Sequence, residues 1–100
     1  MIDGEVPGFV PDFGVSLMAG GLIGFGTDSY AFGQSKTIKS SKPVNDNVWH
    51  HVVTTRNSLT ADLRIYIDGV LNAEGKGYPG TLSAPPRLTV GSLQSNINYF

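Results

Sequence analysis

Trp49, His50 and His51 stand together in the run Asn47-Val48-Trp49-His50-His51-Val52-Val53. An indole can stack on a sugar ring or anchor a core, and an imidazole can bind metal, move a proton or hold a hydrogen bond. These are the only two histidines. Adjacent residues of a strand point to opposite faces, so the pair cannot hold one metal ion without a bulge. At least one of them is therefore expected as a hydrogen-bonded structural histidine. Trp49, among Val48, Val52 and Val53, is expected as a core anchor at the start of a strand, with sugar stacking as the rival reading. Asp68-Gly69 reads as a turn pair, in which aspartate tolerates positive φ and caps its own turn.

Catalytic chemistry finds little support. Glycoside hydrolysis needs two carboxyl groups facing one bond. The only glutamates, Glu5 and Glu74, stand alone in different segments. There is no Gly-x-Ser-x-Gly elbow and no phosphate-loop pattern. Cysteine is absent, which removes disulfides and thiolate metal sites. The chain is not expected to be an enzyme, and no metal site or cofactor is expected.

Binding chemistry is better represented. Ring faces stack on the C–H side of a pyranose, while amides and carboxylates read its hydroxyls. Asp28, Tyr30 and Phe32 supply that combination in one segment, and Asn96, Asn98 and Tyr99 in another. Tyr78, in a glycine-rich stretch, can join them. These seven residues are the candidate ligand contacts. The plain alternative is that they are ordinary loop or oligomer-interface residues.

Lys36, Lys39 and Lys42 cluster, with Arg56 further on. A net charge of −1 and no interleaved aromatics argue against nucleic-acid binding. Such lysines more often keep an exposed strand soluble and unpaired. The first ten residues lack the early positive charge and apolar run of a signal peptide. The stretch 13–25 is broken by glycines and never approaches ~20 apolar residues, so no membrane span is expected and the chain reads as soluble.

The elements that position these residues read as β throughout. Apolar residues make up 40% and charged residues 15% of 100 residues, which suits one small ordered domain rather than a disordered segment. Thirteen glycines and six prolines interrupt every window of helical length. Phe13, Val15 and Leu17 alternate with Gly14 and Ser16 before Gly20-Gly21, and 22–26 runs back, which predicts a hairpin. A polar strand follows over 35–41, a turn cluster over 43–47 and a strong strand over 48–56. Leu63, Ile65 and Ile67 alternate with Arg64 and Tyr66 into Asp68-Gly69, the strongest hairpin signal in the chain. Residues 74–80 read as a loop and 87–92 as a further strand, with Leu88 and Val90 on one face. About seven strands suggest an antiparallel sandwich or barrel.

The order of these segments resembles a family. Trp49-His50-His51-Val52, then Leu63-Arg64-Ile65-Tyr66-Ile67-Asp68-Gly69, then Leu88-Thr89-Val90-Gly91 is similar to the laminin-G-like, concanavalin A-like jelly-roll domains of lectins and glucanases. Gly14-Val15-Ser16-Leu17 and Gly21-Leu22-Ile23-Gly24-Phe25 stand upstream in matching order. The resemblance implies an all-β, two-sheet antiparallel jelly roll, often a carbohydrate- or protein-binding module of secreted or surface proteins. It also allows calcium on rim loops, though no cluster of acids here supports that. The glucanases' Glu-x-Asp-x-x-Glu strand is missing, so their mechanism is not implied.

Family members run longer, with an extra strand pair first and a Gly-x-Ile-Asp-Glu-Val strand last. The expectation is thus an arm over 1–12 and an incomplete jelly roll over 13–100, truncated at both ends. Open sheet edges would then favour a homo-oligomer or completion by another chain segment. Three functions follow: a noncatalytic module binding glycan or protein, an assembly protein with no small ligand, or the remnant of a hydrolase.

Overall fold

A computed structural model describes residues 2–4, 11–29, 34–82 and 88–91. Among these lie eight strands: β1 (Ile2–Asp3), β2 (Phe13–Leu17), β3 (Ile23–Ser29), β4 (Gln34–Lys39), β5 (Val52–Arg56), β6 (Asp62–Ile67), β7 (Val70–Lys76) and β8 (Thr89–Val90). They form two antiparallel sheets, one in the order β4-β3-β2-β1-β8 and one in the order β5-β6-β7. The fold is the all-β sandwich expected from the alternation. Residues 2–3, inside the stretch read as an arm, pair with both β2 and β8.

The core forms where the inward faces of β3 and β6 meet. Ile23 and Phe25 from one sheet pack on Leu63, Ile65 and Ile67 from the other, flanked by Val15, Ile38 and Val52. Leu63 and Ile65 are fully buried. The intervening Arg64 is exposed, as the two-residue period of a pleated strand requires. Two close approaches set the spacing of the sheets. A Cβ on Gly75 would lie 2.7 Å from Ile38, and one on Gly77 would lie 2.7 Å from Thr27. Glycine there lets β7 press against the opposite sheet.

Both predicted hairpins are present. β2 and β3 pair from Phe13↔Thr27 to Leu17↔Ile23 around a 3-10 turn at Ala19–Gly21. Gly20 and Gly21 take φ of +79° and +76° there, a region that disfavours residues with a Cβ. The β6–β7 turn has Asp68 at φ +53° and Gly69 at +81°. Positive φ at both central residues is what a type I′ turn demands.

Three expectations need correction. The strand read over 48–56 begins only at Val52, because Asn47 takes positive φ and the Val48 N–H donates to Asp46 Oδ1, turning the chain out of the ladder. The loop read over 74–80 is strand as far as Lys76, since Arg64 faces Glu74 and Asp62 faces Lys76 in opposite-charge cross-strand pairs. Gly75 marks a contact between the sheets rather than a loop, and 77–80 is loop as read. Trp49 is not a core residue: it is 99% exposed. Lys36 and Lys39 lie exposed on β4, which stands last in its sheet among the described strands.

Candidate functional site

Between β4 and β5 the chain crosses from one sheet to the other through residues 40–51. Several points of this crossover are fastened to the strands and turns around it. Ser40 is buried, its Oγ accepting the Ile23 N–H at 2.9 Å and donating to Lys42 O at 2.9 Å. β7 carries a bulge that leaves Asn72 between the paired residues Leu71 and Ala73. Bulges re-aim side chains, and here Asn72 Oδ1 accepts the Ser41 N–H at 2.8 Å and the Lys42 N–H at 3.3 Å. The Val44 N–H donates to Gly21 O at 2.8 Å, tying the crossover to the β2–β3 hairpin.

The last fastening is electrostatic. His50 Nδ1 lies 2.8 Å from Asp68 Oδ2, and its Nε2 lies 2.8 Å from Asp46 Oδ1. The imidazole side chain is only 8% exposed, whereas both carboxylates are roughly half open to water. Asp68 also accepts the His51 N–H at 3.0 Å on Oδ1 and Lys42 Nζ at 3.2 Å on Oδ2. The carboxylate of the turn therefore gathers the crossover rather than capping its own backbone. The hydrogen bond to His50, then that to the His51 N–H, hold Asp68 down at about 2. The bond to His50 likewise lowers Asp46. In return Asp68 first, then Asp46, raise His50 above its ordinary value. One histidine is thus a hydrogen-bonded structural residue, and its neighbour His51 is exposed.

This framework holds up Trp49 with Val48 beside it, both exposed. Trp49 stands at the mouth of a groove of about 490 Å³ between β1 and β2 of one sheet and β5 of the other. Ile2, Val15, Leu17, Val44 and Val52 make its lining largely apolar, with Thr54 and Ser16 as small polar groups. β5 is hydrogen-bonded to β6 alone among the described strands.

Of the seven residues proposed from sequence, the structure describes two. Asp28 lies on β3 opposite Ser35, its N–H donating to Asp12 O at 3.0 Å. Tyr78 follows β7, with Lys36 Nζ 5.0 Å from its ring centroid and its carbonyl accepting from Arg56. Both fall at the end of the strands away from Trp49. Tyr30, Phe32, Asn96, Asn98 and Tyr99 lie outside the described residues. Sequence reasoning missed the Trp49 loop as a surface. The usable signals were the 43–47 turn cluster directly before it and the four-residue spacing of Asp46 and His50.

No metal-binding cluster occurs among the described residues. Asp46 and Asp68 take opposite nitrogens of one ring, so the three side chains do not converge on a point. Among the described residues no helix is long and apolar enough to cross a membrane.

A two-sheet antiparallel sandwich with an exposed crossover loop defines a class, and comparison with known proteins agrees. The chain belongs to the concanavalin A-like lectin/glucanases superfamily, whose laminin G type 3 family profile matches residues 4–100. This membership suggests a noncatalytic binding module. Over 48 residues the chain is 42% identical to rat (Rattus norvegicus) "Sushi, von Willebrand factor type A, EGF and pentraxin domain-containing protein 1". The mouse (Mus musculus) protein of that name matches to the same extent. Each match covers 48% of this chain and 1% of the relative. The chain thus spans about 1% of the length of the curated relatives it matches. No solved structure matches it significantly.

Proposed function

We propose that this domain is a noncatalytic recognition module that binds an extended apolar segment of a protein partner, with Trp49 as the anchor. The observation that carries this reading is an indole 99% exposed on a crossover that Asn72 fastens upstream and Asp68 fastens through His50 directly after it. A large aromatic left in water gains its burial on binding, and a loop already fixed at its base by His50 need not be ordered at that moment. The groove beside it is apolar. Among the described strands β5 is paired on one side only, and its other side would offer main-chain groups to an added strand, the recognition mode in which a peptide extends a sheet.

Carbohydrate is the second reading, favoured by the same indole face. It is the weaker of the two because Asp46 and Asp68, the carboxylates that fasten the Trp49 loop, are engaged with His50 rather than turned to a ligand. The domain names carried by the relatives, such as sushi and EGF, support an extracellular setting for this reading.

Selection from a random-peptide display library, run beside a glycan array, tests the proposal. Peptides with alternating apolar residues, bound by the chain and lost on Trp49→Ala, are the expected result. Glycans lost on the same substitution would transfer the site to carbohydrate. Self-association abolished by Trp49→Ala would make a second copy the partner. Absence of any binding that depends on Trp49 would overturn the reading.

A further inference from the structure

We infer that His50 is a proton-operated latch: protonated, it clips the Trp49 loop to the β6–β7 turn, and on losing its proton it lets the loop go at Asp46. This rests on the reading of Trp49 as the contact residue and adds the regulation of that contact.

The argument is one of donors and acceptors. An ionised carboxylate only accepts hydrogen bonds, and a neutral imidazole has one N–H to give. Both nitrogens of His50 face carboxylate oxygens, each at 2.8 Å. Only the imidazolium can satisfy both. A neutral ring must turn a lone pair toward one of the two carboxylates, replacing an attraction with a repulsion at hydrogen-bond distance.

The surroundings decide which side yields. Asp68 sits on a tight hairpin turn and is held besides by Lys42 Nζ and the His51 N–H. Asp46 lies in the crossover, and its other hydrogen bond is to the Val48 N–H, at 3.2 Å. Nδ1 therefore keeps its proton against Asp68, Nε2 loses its own, and Asp46 moves away. The segment that moves carries Asn47, held at positive φ, and leads directly to Trp49.

Among the described residues the charged groups facing the ring are few. Asp46 comes from its own loop, and Asp68 from the turn with Lys42 behind it. His51 adds a backbone N–H, its own ring being exposed. The described side chains of β2 and β5 along the groove, among them Ser16, Val52 and Thr54, carry no charge. His50 is thus the group here whose proton changes near neutral pH. Closed, the latch presents Trp49 pre-ordered; open, a ligand must order the loop itself. Binding is stronger on the acid side of the transition and weaker on the alkaline side.

The test needs no ligand. Long-range ¹H–¹⁵N spectra of the 100-residue chain follow the His50 ring from pH 5 to 9, and the emission anisotropy of the sole tryptophan follows the loop. The expected result is one shared midpoint above histidine's ordinary 6.5, with Nε2 as the nitrogen that loses its proton and anisotropy falling as pH rises. His50→Gln should abolish the Trp49 transition, Asp46→Asn should move it to lower pH, and His51→Gln should leave it in place. Should His50→Gln fail to fold, as judged by its circular dichroism, Asp46→Asn carries the decision. A Trp49 signal that stays flat while His50 titrates overturns the latch, as does a midpoint at or below 6.5 or loss of the transition in His51→Gln. Failure of the peptide selection with this transition intact removes the partner and leaves the latch. Peptide binding that depends on Trp49 with no transition does the reverse.

Discussion

His50 and Asp68 lie 18 residues apart in the chain, yet Nδ1 of one and Oδ2 of the other are 2.8 Å apart. The contact joins the crossover between the sheets to the β6–β7 turn. It makes the tip of that hairpin part of the support for Trp49. A hydrogen-bonded pair with one member shifted up and the other down has a direct consequence for stability as pH varies.

Stability should be highest between pH 4 and 6.5 and should fall on both sides. His50 is raised when folded, so its contribution is complete below its ordinary 6.5 and is lost as pH climbs through the higher folded value. Asp68 is depressed, so its contribution is complete above the ordinary 3.8 and is lost as pH drops toward about 2. Asp46 acts in the same direction as Asp68. Urea denaturation at pH 2.5, 5.5 and 8.5 checks this, the middle value giving the highest midpoint. His50→Gln should flatten the alkaline limb.

Trp49→Ala should separate stability from binding. The side chain is almost fully solvated, so its removal is expected to change stability by less than about 0.5 kcal/mol. If it is the anchor, the same change should weaken a selected peptide by about 30-fold or more, the scale of an interface hot spot. Denaturation and a binding isotherm on one preparation measure both.

Ile65→Ala should come close to unfolding the domain. Ile65 is fully buried between the sheets against the β3 side chains. Truncating such a residue costs about 2–5 kcal/mol, against a total of about 5–15 kcal/mol for a small domain. Circular dichroism and urea midpoints relative to the parent chain give the comparison.

Gly75→Ala should destabilise although it enlarges nothing on the surface. The new methyl would meet Ile38 Cγ2 at 2.7 Å, so the sheets must part locally. Overpacking of this kind costs about 1–3 kcal/mol. Relief by the further change Ile38→Ala, which removes the Cγ2 methyl, seen as a double variant less destabilised than the sum of the two single changes, would show that the contact between sheets is the cause.

How much of this was legible in the sequence depends on how local its cause is. The alternation of Leu63, Ile65 and Ile67 and the Asp68-Gly69 pair each depend on a few neighbouring residues, and both the strand and its turn were readable. Trp49 was not. Its apolar neighbours suggest a buried strand, but the loop is set by His50 reaching Asp68 across 18 residues, which no local period encodes. Gly75 misled for a related reason: a glycine within a strand resembles a loop until the opposing Ile38 is known. For the ligand residues, Asp28 and Tyr78 fall away from the Trp49 loop, and the other five lie outside the described residues.

The most direct measurement is the solvent access of the one tryptophan. Acrylamide and iodide quenching of the folded chain near pH 5.5 should approach the efficiency of a fully solvated indole, with emission at the red, fully hydrated end. Blue-shifted emission shielded from both quenchers would place Trp49 inside the sandwich and contradict the account.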